Sequence, residues 1–307
     1  MTEKPKILIV DDEEIMRNML KAELEDRYSV TLASNAGEAL SCIEKEDFSL
    51  AISDINMPGM KGYELLAIIR EKAPETRTAL ITAYDVNDYI RMAGKCGTSN
   101  IIPKTTPFNF DEFNSLINGL ITGNIFGIEK YMKNDMEVNY TYTLKGSDDI
   151  ETIENEIIVK VRKMYETSNK EKKCNHLLVL LEEALTNAIY HAPADESGRE
   201  KYRKHSKVVL LEEEYIDVIL ARDSEKYGVS VIDKSGRLRK DTVLYKIDRH
   251  ISGEGLLDES GRGLHMSRIY SDRLIINIAP GKKTEVILLN YFEKKYHGYK
   301  PLYINEL

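Results

Sequence analysis

Over the first 122 residues, short apolar runs alternate with stretches of helical periodicity, and this alternation restricts the fold more than any other feature of the chain. The runs cover 7–10, 30–33, 50–53, 79–82 and 101–102. Between them the apolar residues recur at helical spacing, as in Ile15, Met19, Leu20 and Leu24, or Leu65, Leu66 and Ile69. A strand–helix unit repeated five times predicts a parallel sheet covered by helices on both faces. The intervening connections are short, as that architecture requires.

In such a sheet, ligands bind beyond the carboxyl ends of the strands. The residues at those ends are Asp11 and Asp12 after the first run, Asp54 after the third, Thr82 at the end of the fourth and Lys104 after the fifth. Carboxylates gathered at one rim repel one another and call for a hard divalent cation with oxygen ligands, of which Mg2+ is the natural choice. Lys104 adds positive charge. This set suits transfer of a phosphoryl group to an aspartate oxygen, with cation and ammonium neutralising the equatorial oxygens. Taken singly, each residue has a bland alternative: Asp11-Asp12 as a helix cap, Asp54 with Pro58-Gly59 as a turn, Thr82 as a strand end, Lys104 as a solvated group.

The combination Asp11-Asp12, Asp54-Ile-Asn-Met-Pro58-Gly, Thr82-Ala83 and Lys104 resembles the response-regulator receiver domain of two-component signalling, over roughly 5–122. That resemblance implies a flavodoxin-like, doubly wound (βα)5 fold. It makes Asp54 the phosphoacceptor, Asp12 and the Asn56 carbonyl Mg2+ ligands with Asp11 acting through water, Thr82 the phosphoryl-binding hydroxyl and Lys104 its counter-charge. It also implies a sensor histidine kinase as partner. Two positions depart from the family pattern: Pro103-Lys104-Thr105 replaces the usual Lys-Pro, and Ile101 stands where the family carries a switch aromatic. Tyr84 is the expected substitute.

Residues 123–135 read as a connector, with Ile125, Phe126, Ile128 and Tyr131 giving it apolar groups to pack or to dimerise through. Beyond it, 136–307 reads as an α+β layer: a strand at 138–144, helices bearing Ile150, Ile153, Ile157, Val161 and Met164 and then covering about 174–192, strands at 215–221 and 228–232, a long polar stretch 235–262, a short helix, and strands near 274–279 and 284–291.

On the apolar helix 177–192, Glu183, Asn187 and His191 form one polar line at i, i+4 and i+8. A carboxylate and an amide so spaced can act as base and metal ligand; a solvated edge is the simpler alternative. Downstream, Asp233-Lys-Ser-Gly236 ends a strand and Gly261-Arg262-Gly263 precedes a helix whose first amides could face a phosphate. In this order the segments resemble the N, G1 and G2 boxes of the GHKL (histidine-kinase-like) ATPases, and most of all the anti-sigma-factor serine kinases, over about 136–292. The resemblance implies Asn187 on Mg2+, Glu183 as base, Asp233 on the adenine amino group, Gly236, Gly261, Arg262 and Gly263 around ATP, Thr284 supporting Asp233, and 237–260 as a lid. Ser235 and Arg237 occupy positions where that family has glycine.

Two outputs of different class follow: an ATP-dependent serine/threonine kinase acting on an anti-sigma-factor antagonist or similar protein, or a module that sequesters a partner such as a sigma factor with little turnover. No histidine occurs within 123–175, which disfavours a self-phosphorylating hybrid kinase. A net charge of −8 gives no global attraction to nucleic acid, and the basic run 199–207 reads as a solvated loop. Cys42, Cys96 and Cys174 lie far apart, without a C-x-x-C pair, and no apolar run reaches ~18 residues, so a cytoplasmic protein without membrane contact is expected.

Overall fold

A computed structural model describes residues 3–165, 170–254 and 262–307. The chain divides into two units, 1–125 with 296–303 and 126–295 with 304–307.

In the first unit the five apolar runs become β1 (Lys6–Val10), β2 (Ser29–Ala33), β3 (Leu50–Asp54), β4 (Arg77–Thr82) and β5 (Asn100–Pro103). They pair in parallel in the order β2-β1-β3-β4-β5. This is the flavodoxin-like doubly wound order. β3 is buried along its whole length, as a parallel strand covered on both faces must be. The helices are α1 (Glu14–Leu24), α2 (Ala36–Ile43), α3 (Gly62–Lys72), α4 (Ile90–Lys95) and α5 (Phe110–Thr122). Asn35 caps α2 by accepting from the Glu38 amide, and Gly123 closes α5 in the left-handed conformation at φ 70°. Asn114 on α5 donates to Glu23 on α1, while α2 packs beside α3.

Two features of this unit depart from the sequence reading. Ile15 is 85% exposed rather than core, because it sits on the first turn of α1, at the rim where the strands end. Near the C-terminus, Leu302 and Tyr303 open a further strand, β11 (Leu302–Glu306), and pair antiparallel with Ile101 and Asn100. The Tyr303 hydroxyl donates to Glu112 at 2.7 Å.

The second unit is a layer of helices on an antiparallel sheet. Its strands are β6 (Val138–Leu144), β7 (Ile216–Arg222), β8 (Lys226–Asp233), β9 (Arg273–Ala279) and β10 (Lys283–Tyr291), in the order β9-β10-β8-β7-β6. Helices α6 (Ile150–Met164) and α7 (Lys170–Thr186) bury Ile153, Ile157, Val161, Leu177, Leu181 and Leu185 against Val218, Leu220, Val229 and Val231. Two more helices are α8 (Lys240–Ile251) and α9 (Arg262–Tyr270). α8 lies within the stretch read as a polar loop. Its buried Val243, Leu244 and Ile247 are few among charged neighbours, so the helical period is faint.

The connector residues are consumed inside the chain. Ile125, Ile128 and Tyr131 are at most 8% exposed, and the Lys283 ammonium sits 4.0 Å from the Phe126 ring. The Gly127 amide donates to buried Glu285, which also accepts from Ser230 and Asn277. This removes the apolar surface on which dimerisation through the connector was expected. No helix among the described residues is long and apolar enough to cross a membrane.

Glu154 on α6 is 8% exposed, and its Oε1 has no hydrogen-bond partner among the described residues. Burial, with Glu182 and Glu151 nearby, pushes its pKa up to about 7. Folding therefore favours the protonated form, and the stability this gives is lost as pH rises from the ordinary carboxyl range through about 7. We expect Glu154→Gln to stabilise the protein by about 3 kcal/mol at pH 8 and by far less at pH 5. Urea unfolding at both pH values checks this; a gain independent of pH would contradict it.

Candidate functional site

The carboxyl rim of the parallel sheet brings five sequence-identified residues together: Asp11, Asp54, Asn56, Thr82 and Lys104. Lys104, just beyond β5, places its Nζ 2.6 Å from Asp54 Oδ1 and 2.9 Å from Asp11 Oδ2. Glu13, which sequence reasoning did not single out, lies 3.7 Å from the same ammonium. The Lys104 amide donates to the Thr82 carbonyl at 2.6 Å, fastening the end of β5 to that of β4. Thr82 Oγ1 accepts from the Tyr84 amide at 3.1 Å. Asp54 Oδ2 accepts from the Asn56 amide at 2.6 Å.

Burial pushes the Asp11 carboxyl up; Lys104 opposes this and Asp54 reinforces it. For Lys104, burial works against the charge, but hydrogen bonds and attraction from Asp54 and Asp11 prevail and hold its pKa above the usual value. The rim is thus acidic, with one ammonium already engaged between two carboxylates.

Asp12 is exposed beside this group. Among the described residues no three His, Cys, Asp or Glu side chains close a metal cage by themselves. A Mg2+ site does not need one, since that ion combines one or two carboxylates with other oxygens and retains water. Asp11, Asp12, Asp54 and the Asn56 carbonyl supply a hard-oxygen set of that kind, and buried Asp11 Oδ2 has Lys104 Nζ as its 2.9 Å neighbour. Gly62 shapes the wall: a Cβ there would lie 1.9 Å from the Asp54 carbonyl oxygen, so α3 can begin this close to Asp54 only with glycine.

Tyr84, the expected substitute for the switch aromatic, is 58% exposed, and its backbone amide donates to Thr82 Oγ1. A second tyrosine touches the loop after β3: Asn56 Nδ2 donates to the Tyr89 hydroxyl at 2.6 Å. No local signal links residues separated by 33 positions. The cis peptide of this loop is Thr106–Pro107, not the bond after Lys104.

The second unit holds a cavity of about 510 Å³, lined in part by Glu183, Asn187, His191, Asp233, Arg262, Gly263 and Thr284. The polar line is carried by the end of α7 and by a π-helical turn, Asn187–His191. Such turns are frequent at functional sites. Asn187 Nδ2 donates to Glu183 Oε1 at 3.0 Å, leaving the amide oxygen for a ligand. Gly263 packs against that carboxylate so closely that a Cβ would fall 1.8 Å from Glu183 Cγ. His191 Nδ1 lies 2.8 Å from Glu200.

Asp233 ends β8 opposite Thr284 on β10. Its Oδ1 accepts from the Ser235 amide and hydroxyl and from the Gly236 amide, leaving Oδ2 open to the cavity. Thr284 Oγ1 is buried beside it without a hydrogen-bond partner among the described residues.

Gly236 does not line the cavity. It turns at φ 57° against the Ala279 carbonyl and the Lys282 and Lys283 amides, where a Cβ would clash. Gly261 and 255–260 of the expected lid lie outside the described residues. Lys204, Arg237, Arg239 and Lys246 add positive charge to the lining that sequence reasoning had not assigned.

Residues 7–118 match the family model "Response regulator receiver domain". Over 126 residues the chain is 33% identical to the response regulator protein FleR of Pseudomonas aeruginosa, covering 41% of this chain and 26% of FleR. It is 41% identical over 101 residues to an uncharacterized 14.6 kDa protein of Leptolyngbya boryana, covering 32% of this chain and 77% of that protein. It is 38% identical over 103 residues to the chemotaxis protein CheY-3 of Vibrio cholerae, covering 32% of this chain and 79% of that protein.

Removing Lys104 leaves Asp11 and Asp54 facing each other unneutralised. Lys104→Met is therefore expected to lower stability by roughly 3 kcal/mol in metal-free buffer and to recover much of that loss when Mg2+ is added. Urea unfolding with EDTA or with Mg2+ checks this; equal destabilisation in both would contradict it.

Proposed function

By residues 7–118 this chain belongs to the response regulators that carry a receiver domain, and on that footing we propose that it is a two-component response regulator in which a sensor histidine kinase phosphorylates Asp54 to control an ATP-binding output unit. The observation that carries the first half is the Lys104 ammonium bridging Asp54 and Asp11 at the strand ends.

In this reading an Asp54 carboxylate oxygen attacks the phosphorus of the donor's phosphohistidine, and the imidazole leaves. Lys104 neutralises charge on the transferred group, and Thr82 donates its hydroxyl to it after releasing the Tyr84 amide. A Mg2+ held by Asp11, Asp12, Asp54 and the Asn56 carbonyl supplies further neutralisation. The resulting change in charge biases a two-state rim, and a few kcal/mol suffice for such a bias.

For residues 136–307 the proposal is a GHKL-type unit acting as a serine/threonine kinase of the anti-sigma class. What supports it is the orphan Thr284 hydroxyl beside Asp233, in the cavity that Glu183, Asn187 and Gly263 also line. Asp233 Oδ2 would accept from the adenine amino group, the Asn187 amide oxygen would face Mg2+, and Glu183 would take the proton of a substrate hydroxyl. ATP bound there supplies the transferable phosphoryl group.

A specific observation favours the alternative, a partner-sequestering module. Arg237, at an expected glycine position, donates to the His191 and Gly198 carbonyls at 3.4 and 2.9 Å. It braces the cavity rim where glycine would otherwise let the backbone approach the nucleotide closely.

Titration of Mg-ATP into the protein, with and without beryllofluoride, separates the two. Saturable binding abolished by Asp233→Ala and Asn187→Ala, with label then passing to a protein serine or threonine, is the expected result. Absence of binding at millimolar ATP would leave the sequestering module.

A further inference from the structure

Asn56 is held at both ends. Its amide donates to Asp54 Oδ2 at 2.6 Å, and its side-chain nitrogen donates to the Tyr89 hydroxyl at 2.6 Å. Its neighbours Ile55 and Met57 are buried and apolar, and the Ile55 backbone is paired with the Ile81 carbonyl and the Gly62 amide, so the Asn56 side chain is the polar side chain by which this stretch reaches Tyr89. Tyr89 in turn stands on a firm base. It ends the 3₁₀ turn Val86–Tyr89, which Asp85 caps through the Asn87 amide and which leads straight into α4. Val86 and Ile90, at most 1% exposed, pin that turn to the core.

We infer that Tyr89 is a positioning residue for the cation site: by holding the Asn56 side chain, it fixes the direction of the Asn56 carbonyl and so sets the affinity of the rim for Mg2+. The inference rests on the receiver reading above and assigns a role to a residue outside the carboxylate–lysine set. The physical argument is one of preorganisation. A peptide carbonyl in a loop rotates easily, and ordering it when the ion arrives costs binding free energy that a preformed anchor removes. The Tyr89 hydroxyl is that anchor, at a distance typical of a strong hydrogen bond.

Tyr84 has no such role. Its ring is exposed, and its tie to the rim is through its own backbone amide.

Calorimetric titration of Mg2+ into the full-length protein, with no phosphodonor present, tests this. Tyr89→Phe is expected to raise the Mg2+ dissociation constant about 3- to 10-fold, the effect of losing one hydrogen bond. Tyr84→Phe is expected to leave it unchanged. Asn56→Ala retains the main-chain carbonyl and should weaken binding similarly, with no further loss in the double variant, because the two residues act through one contact.

With acetyl phosphate as donor, the Mg2+ concentration giving half-maximal phosphorylation should rise by the same factor in Tyr89→Phe, while the rate at saturating Mg2+ stays within about twofold of wild type. A general loosening of the fold would lower the saturated rate as well. Wild-type affinity in Tyr89→Phe, or additive losses in the double variant, would overturn the inference alone. A wild-type protein that binds no Mg2+ would overturn the receiver reading and this inference with it.

Discussion

The ion pair that Lys104 makes with two carboxylates from different strands is the contact on which the rest of the rim depends. Asp11 is fully buried, and burial pushes its carboxyl pKa up. The ammonium 2.9 Å away opposes that, and at 2.6 Å it also faces Asp54. The parallel order β2-β1-β3-β4-β5 sets β1 and β4 on either side of β3 and β5 beyond β4, so that residues distant in sequence end at one edge. In the proposed function, this edge is where a cation would meet carboxylate oxygens and a phosphoryl group would meet the Lys104 charge.

The second unit places polar atoms by different means. Its sheet is antiparallel, and the cavity opens where α7 runs into the π-helical turn Asn187–His191 and α9 comes close enough to need glycine at 263. Glu183 and Asn187 satisfy each other, Asp233 is half engaged by the turn that follows it, and Thr284 is left with a buried hydroxyl. That pattern of partly filled hydrogen-bonding capacity is what the proposal of an ATP site in this unit rests on. Arg237 is the discordant element: a long side chain bracing two carbonyls at a position where the GHKL resemblance implies glycine.

What the sequence made legible follows from periodicity and from strand ends. The five parallel strands, α6, α7 and the antiparallel pair β9–β10 each have a clear period, and the residues after β1, β3 and β5 could be grouped because ligands in such sheets gather at one edge. Other features rest on contacts that no local pattern encodes. α8 carries three buried apolar residues among charges, β11 is a short apolar run after a polar tail, and Ile15 has helical spacing but sits where nothing covers it. The Tyr89–Asn56 contact joins two loops brought together only by the sheet order, so no local pattern points to it. The connector shows the same limit: its apolar residues announced packing without saying that the packing lay within the chain.

The central claim is that the rim makes Asp54 a metal-dependent phosphoryl acceptor. Intact-mass measurement after incubation with acetyl phosphate tests it most directly. The account predicts a gain of one phosphoryl group that requires Mg2+, disappears with EDTA and is absent from Asp54→Asn. A protein that gains no mass, gains it equally without metal, or still gains it when Asp54 is replaced would contradict the account.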